Sequence, residues 1–184
     1  QSRHVVEGTP AQPASLRSCA RFADILADMP APDDAELRAP DRPVNDRGEI
    51  RFRVRYHECD PGGVAHHSSY LPWFEMGRTE ILRDSGVSYA DMERAGVFLV
   101  ITRMDVRYRR PAFYDQELLL RVRVSGGGRA RIDHEYELFA QSTDGKAGEL
   151  LSTAASTLAC VGRDGRPRPL PDWLSPGAHA PPGG

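Results

Sequence analysis

The sequence predicts an α+β fold, with an antiparallel sheet curled around one long helix. Three observations carry that expectation. The apolar residues Tyr70, Trp73, Phe74, Gly77, Ile81 and Leu82 recur at a 3.6-residue period, a single broad stripe that has to lie on something apolar. From Val97 onward the pattern changes to period two, and four strand-like stretches follow at 98–109, 117–125, 130–141 and 149–161. Two of the breaks between them, Gly126-Gly127-Gly128 and Thr143-Asp144-Gly145-Lys146, are short and carry glycine, as antiparallel hairpins require. A chain with many strands and one apolar helix buries most surface by curling the sheet on the helix.

The distribution of proline and aromatic residues sets the domain boundaries. Of 15 prolines in 184 residues, six fall in 1–46 and six in 163–184, whereas every aromatic residue except Phe22 and Trp173 falls in 47–162. Proline-rich, aromatic-poor ends bury too little apolar surface to offset the entropy of ordering. The expected organisation is an N-terminal extension at 1–47, one folded domain at 48–174 and a C-terminal tail at 175–184, with Trp173 fastening the start of that tail. Within the extension, Leu16, Cys19, Phe22, Ala23 and Leu26 recur at helical spacing, and a transient helix is the reading there. In the domain, Phe52, Val54 and Tyr56 alternate with Arg51, Arg53 and Arg55, giving a first strand with one buried face. The helix over 70–84 tolerates Pro72 in its first turn and closes at Gly86. A short second helix over 88–95 is capped by Ser88, with Asp91 near its positive end.

Composition narrows the classes of function. A formal net charge of −2 argues against nucleic acid as the main partner. Cys19, Cys59 and Cys160 form no CxxC pair and no zinc spacing, and an odd, sparse count suits a reducing, cytoplasmic compartment. No apolar run approaches the ~20 residues that span a bilayer. His57, His66 and His67 lie near Asp60 but lack the spacing of a metal centre, so no metal is expected.

The run 55–70, Arg-Tyr-His-Glu-Cys-Asp-Pro-Gly-Gly-Val-Ala-His-His-Ser-Ser-Tyr, carries the chemistry. An alternating segment ends in Asp60, a Pro-Gly-Gly turn follows, and Ser68 or Ser69 signals a helix start. A carboxylate thereby sits within a few residues of the free N–H groups of a helix N-terminus, a ready oxyanion site. A base or nucleophile beside such a site is what acyl transfer needs. Read on its own, Asp60 is equally a turn-forming residue before Pro-Gly. Gly62 and Gly63 let the main chain approach a ligand closely. Glu58 reads as a solvated or interface charge. Glu75, with Arg78 at i+3 and Thr79 at i+4, reads as one half of a helix-surface ion pair and stands second to Asp60 as a nucleophile.

Five pieces of sequence, Cys59-Asp60-Pro61-Gly62-Gly63-Val64, His67-Ser68-Ser69-Tyr70, Phe74-Glu75-Met76-Gly77-Arg78-Thr79-Glu80, Met104-Asp105-Val106-Arg107-Tyr108 and Pro111-Ala112, together resemble the hotdog-fold acyl-CoA thioesterases. The likeness is to the 4-hydroxybenzoyl-CoA thioesterase family and its YbgC-type, Tol–Pal-associated branch, and it spans 49–172. The resemblance implies a five-stranded antiparallel sheet wrapped around one long central helix. It implies a homodimer whose sheets join, often paired again into a homotetramer, with active sites at the dimer interface. It implies hydrolysis of acyl-CoA to free acid and CoA thiol without metal or cofactor, with acyl carrier protein as an alternative carrier.

Carried onto this sequence, the resemblance makes Asp60 the general base or nucleophile. It assigns the backbone around Val64 and His67 to the oxyanion, with the His67 ring orienting water, contacting Asp60, or acting only as a spacer. Gly62, Gly63 and Tyr70 stand against the substrate, and the Trp73–Phe74 face shapes the acyl pocket. Arg129, after the triple glycine, is placed for the nucleotide phosphates, with Arg131 a weaker candidate. His66 departs from the aromatic residue usual at its position. A reading of another class, a non-hydrolytic hotdog module that binds acyl thioesters or a protein, differs from the first by failing to release thiol. A hotdog dehydratase relies on a different His-containing pattern, which is absent here.

Overall fold

The computed structural model of the chain describes residues 39–40 and 44–175. The helical spacing at 16–26 and Cys19 lie outside the described residues. Five strands and two α-helices follow one another as β1 (Arg47–Arg53), α1 (Tyr70–Asp84), α2 (Tyr89–Arg94), β2 (Phe98–Tyr108), β3 (Glu117–Gly128), β4 (Arg131–Gln141) and β5 (Ala147–Val161). The strands form one antiparallel sheet in the order β1-β3-β4-β5-β2. This is the five-stranded α+β hotdog arrangement expected of the sequence. Among the described residues no helix is long and apolar enough to cross a membrane.

Helix α1 buries Tyr70, Trp73, Phe74, Gly77, Ile81 and Leu82, the stripe read from the sequence. The first four residues of that stripe and Ile81 border a core that includes Leu118, Leu120, Val122, Tyr136 and Leu138 of β3 and β4. Two glycines set how close the helix lies. A Cβ on Gly77 would stand 2.6 Å from Val122 Cγ2 and 2.7 Å from Leu120 Cδ2, and one on Gly48 of β1 would stand 2.7 Å from Ile81 Cγ1. Neither gap admits a methyl group without moving the packed core. Helix α1 ends at Gly86, where φ is +85° and Val87 N–H donates back to Leu82 O at 3.0 Å. Ser88 Oγ caps α2 by accepting from Asp91 N–H at 3.1 Å.

A second cluster gathers Val44, Leu82, Val87, Met92, Val97, Ile132, Leu158 and Cys160 with Leu170 and Leu174. Leu170 and Leu174 are therefore the buried anchors of the C-terminal segment, and Trp173 packs at the margin of the same cluster. The core reaches Val44, N-terminal to the expected boundary at 48.

Two local expectations are corrected. The first strand stops at Arg53: Val54 turns inward, 1% exposed, while Tyr56 stands 81% exposed on a 3-10 turn over Tyr56–Glu58. The apolar alternation runs on past the last ladder bonds, Val54 N–H to Gln116 O and Asp115 N–H to Val54 O, both 3.0 Å. The triple glycine is not a break. Gly126, Gly127 and Gly128 pair with Asp133, Ile132 and Arg131 after a bulge past Val124. Bare backbone joins a ladder when the partner strand continues beside it, and the reversal is confined to Arg129-Ala130.

Between α1 and the sheet lies a buried polar group, His134 of β4, 6% exposed, whose Nδ1 has no hydrogen-bond partner among the described residues. Burial, and then the charge of Arg78, push its pKa down to about 4, with Asp133 opposing. The unfolded chain, with an ordinary value near ~6.5, takes up this proton first. The contribution of neutral His134 is thus complete above ~6.5 and is lost as pH falls toward about 4, on the order of 3 kcal/mol when fully protonated. His134→Gln is predicted to flatten the fall in melting temperature between neutral pH and about pH 4.5, compared with wild type followed by the same thermal melts. Parallel pH profiles for the two proteins would contradict this.

Candidate active site

The segment between β1 and α1 closes on itself like a small hairpin. Asp60 N–H donates to Val64 O at 2.9 Å, Gly63 N–H donates to Asp60 O at 3.0 Å, and Cys59 faces Ala65 across an antiparallel bridge. Gly63 supplies a φ of +78°, a conformation that costs an L side chain about 1–2 kcal/mol. Gly62 N–H donates to Asp60 Oδ1 at 2.8 Å, and a Cβ on Gly62 would stand 3.0 Å from that same oxygen. Both glycines are thus required by the turn, one for its backbone angle and one for room beside the carboxylate. Asp60 is half-buried, and its second oxygen accepts no hydrogen bond among the described residues.

The far side of the loop is pinned to the segment after β2. Ala65 N–H donates to Ala112 O at 2.8 Å and Tyr114 N–H donates to Gly63 O at 3.3 Å, with Val64 bridged to Phe113 between them. In that register the Val64 N–H takes no acceptor among the described residues, and neither does the His67 N–H. Ahead of α1 runs a 3-10 turn over His67–Ser69. The expected serine cap is corrected here. His66 caps the turn, its Nδ1 accepting from Ser68 N–H at 3.3 Å and contacting Ser68 Oγ at 2.7 Å. Ser69 Oγ instead donates to Glu58 O at 2.8 Å. The unused N–H groups at the helix entry are therefore left without a serine hydroxyl to satisfy them.

Glu58 is the residue most misread from the sequence. Its carbonyl accepts from His66 N–H and Ser69 Oγ, both at 2.8 Å. Its carboxylate accepts from Arg55 N–H at 2.6 Å and from Trp73 Nε1 at 2.8 Å. It is partly buried and fully engaged, not a free surface charge. Tyr108 of β2 was also not singled out. Its hydroxyl donates to His67 O at 3.0 Å, and its ring meets Tyr70 edge-on at 5.0 Å. Neither role has a local sequence signal, because the partners lie 15 and 41 residues away.

The other candidate residues are placed as follows. Tyr70 is buried, its hydroxyl accepting from Ala112 N–H at 3.3 Å and its ring packed on Trp73 at 4.8 Å, so within one subunit it braces the wall of the loop. The His67 ring stacks on His66 at 4.0 Å, and no described hydrogen bond joins it to Asp60. Glu75 pairs with Arg78 at 3.1 Å, as expected, although Arg78 is buried rather than on the surface. Phe74 is fully buried against Tyr136, while Trp73 reaches a cleft of about 550 Å³ shared with Phe52, Tyr56, Met76 and Tyr114. Arg129 is not brought to Asp60. It sits past Gly128, at the far end of β3 from Glu117, a separation on the order of 35 Å along the strand. Arg131 is paired with Asp133 at 3.2 Å.

Desolvation, then the charges of Glu58 and Asp60, raise the Cys59 thiol above its ordinary range, which disfavours a thiolate nucleophile beside Asp60. Among the described residues no three His, Cys, Asp or Glu side chains gather as a metal would require. A larger concavity of about 990 Å³ lies over the opposite face of the sheet. Its charges are already matched, Arg121 to Glu49 at 3.0 Å and Arg123 to Glu135 at 2.5 Å, and Asp60 is not part of it. By contrast, five of the six large exposed apolar side chains among the described residues, Tyr56, Leu71, Tyr108, Phe113 and Tyr114, belong to segments around the Asp60 loop, the sixth being Ile101 of β2. A patch of that kind marks a surface built for contact.

Residues 54–176 match the family model described as the thioesterase-like superfamily. The chain belongs to the thioesterase-like superfamily. The match takes in the Asp60 loop, α1 and all of the sheet except β1. Over 120 residues this thioesterase-like chain is 31% identical to the acyl-CoA thioester hydrolase YbgC of Escherichia coli, covering 65% of this chain and 86% of that relative. The DHNA-CoA thioesterase of Staphylococcus aureus has a similar structure, with 32% identity and a TM-score of 0.62 over 70% of this chain and 83% of the other. The 4-hydroxybenzoyl CoA thioesterase of a Pseudomonas strain, 18% identical with a TM-score of 0.61 over 71% and 98%, shares the fold. The likeness read from 59–80 and 104–112 therefore agrees with relatives found over most of the folded region.

Proposed function

We propose that this chain is an acyl-CoA thioesterase that hydrolyses an acyl thioester to free acid and CoA thiol. One observation carries the reading: a half-buried acid and two unused main-chain donors, the N–H groups of Val64 and His67, border one closed loop. The thioester oxygen sits on those donors, which stabilise the negative charge that develops on it. A preorganised donor of this kind contributes about 3 kcal/mol to the transition state. Asp60 acts on the carbonyl carbon, either by drawing a proton from an attacking water or by attacking directly. In the base route water adds to the carbonyl, the thiolate leaves and takes up the proton; in direct attack the thiolate leaves from an Asp60–acyl anhydride, which water then hydrolyses to free acid and Asp60 carboxylate. In heavy-oxygen water, label in the Asp60 carboxylate after a single turnover arises only through the anhydride, opened at the Asp60 carbonyl.

The working unit in this proposal is a homodimer joined edge to edge at β2. Ile101, Met104, Val106 and Tyr108 pair opposite Leu158, Ser156, Ala154 and Ser152 and so share the helix-side face of an edge strand. Ile101 and Tyr108 remain about half exposed, an apolar column that a second copy covers. Antiparallel joining sets the Phe98 end of one β2 beside the Tyr108 end of the other. Arg129 lies toward the Phe98 end, since Leu99 pairs with Cys160 and Cys160 N–H donates to Ala130 O. It is thereby directed toward the other subunit's Asp60 loop, where it suits the phosphates of CoA. A cytoplasmic location, suited to the free thiols Cys59 and Cys160, completes the proposal.

Asp60→Asn is predicted to keep the fold and lower turnover by at least ~100-fold, measured as free thiol released from a panel of acyl-CoAs. Near-normal release by that variant would falsify the role of Asp60. Binding without release at every acyl length by the wild type favours the non-hydrolytic module instead. Val106→Arg is predicted to yield monomers in analytical ultracentrifugation and to lose thiol release, because a charge at the joined edge is buried without a partner. An unchanged dimer would contradict joining at β2.

A further inference from the structure

We infer that Glu58 is the positioning residue of this site, the group that keeps Asp60 in register with the opening of α1. The inference rests on the thioesterase reading above and adds a residue to it. Asp60 belongs to the loop and the oxyanion donors belong partly to the helix entry. Something must fix one against the other to within a fraction of an ångström, because a misplacement of about 1 Å can cost ~100-fold in rate. Glu58 stands between them, two residues ahead of Asp60 in the chain and hydrogen-bonded to the helix entry. Through its carbonyl it holds His66 N–H and Ser69 Oγ, the residues on either side of the His67-Ser68 pair. Through one carboxylate oxygen it holds Trp73 Nε1 in the first turn of α1, and through the other it holds Arg55 N–H at the end of β1. Two residues further on, Asp60 is tied to Val64. The strand end and the helix thus meet at the Glu58 carboxylate, while its carbonyl holds the 3-10 turn, two residues ahead of Asp60.

The chemistry of the clamp is specific. Both donors point at oxygens, and an ionised carboxylate is the one side chain of this length that accepts on both. Glutamine keeps the shape but turns one acceptor into a donor, which then faces an N–H. Each carboxylate oxygen holds one protein donor, and these two bonds fix the frame around Asp60. Glu58 acts through Asp60.

The test is a pair of substitutions read in two backgrounds by steady-state thiol release, with folding followed by circular dichroism. Glu58→Gln is expected to lower kcat by on the order of 10- to 100-fold with KM little changed. In the Asp60→Asn background the same substitution is expected to cost less than about threefold, because the group it positions is already gone. An equal loss in both backgrounds overturns the inference, as does a normal kcat in Glu58→Gln. Should Glu58→Gln fail to fold, Trp73→Phe removes the indole donor together with part of a ring packed on Phe52 and Tyr70. A smaller fall in kcat is then expected, and a folded Trp73→Phe enzyme with unchanged kcat overturns the inference. Turnover that survives Asp60→Asn alone removes the underlying reading as well, whereas turnover lost in Asp60→Asn but normal in Glu58→Gln removes only the role of Glu58.

Discussion

A short chain reversal can present a carboxylate in a fixed place only if its own backbone is satisfied first. The loop from Cys59 to Ala65 meets that condition with two internal bonds and the Cys59–Ala65 bridge, and it is then pinned to Ala112, Phe113 and Tyr114. The rest of the site follows from this closure. Because the bonding register uses the N–H groups of Asp60, Gly63 and Ala65, the N–H of Val64 is left over and points to no acceptor among the described residues. Because His66 caps the next turn with its ring, the His67 N–H is left over too. Unused donors beside a carboxylate would be a liability in a core. At the surface they are free to meet a ligand, which is the basis of the proposed site.

The sheet and helix serve that arrangement by fixing distances. Gly77 and Gly48 allow α1 to lie closer to β3 and β1 than any side chain would permit, and this sets where the first turn of the helix comes to rest. The same helix carries Trp73 to Glu58 and Tyr70 to Ala112, so packing at its middle is transmitted to the loop at its start. Tyr108 adds a tie from the edge strand β2 to His67 O. The proposed dimer edge and the proposed oxyanion donors are therefore one side chain apart. That proximity ties the proposed dimer to the proposed site.

Much of this was legible in the sequence where the signal is local and repetitive. The stripe from Tyr70 to Leu82 fixed α1, because burial on one side of a helix leaves a 3.6-residue pattern and Gly86 marks its end. Asp60-Pro61-Gly62-Gly63 was legible as a turn because two of its residues tolerate conformations that others resist. What was not legible depends on who the distant partner is. Apolar alternation at 52–56 looks the same whether or not a neighbouring strand continues, and β1 stops at Arg53 because the ladder with β3 stops there. Glycines at 126–128 look like a break but pair with β4. Glu58 looked like a surface charge because its partner Trp73 is chosen by the tertiary fold. Arg129 was placed for the nucleotide phosphates by resemblance alone, and its distance from Asp60 within one chain follows from its position past Gly128 at the end of β3.

The most direct test is a crystal structure of the Asp60→Asn protein with a non-hydrolysable acyl-CoA analogue whose carbonyl replaces the thioester. The carbonyl oxygen is expected within about 3 Å of the Val64 or His67 nitrogen, with its carbon facing residue 60. An analogue bound with its carbonyl away from both nitrogens, in the cleft beside Trp73 or on the charged face of the sheet, would contradict the assignment of this loop as the catalytic centre.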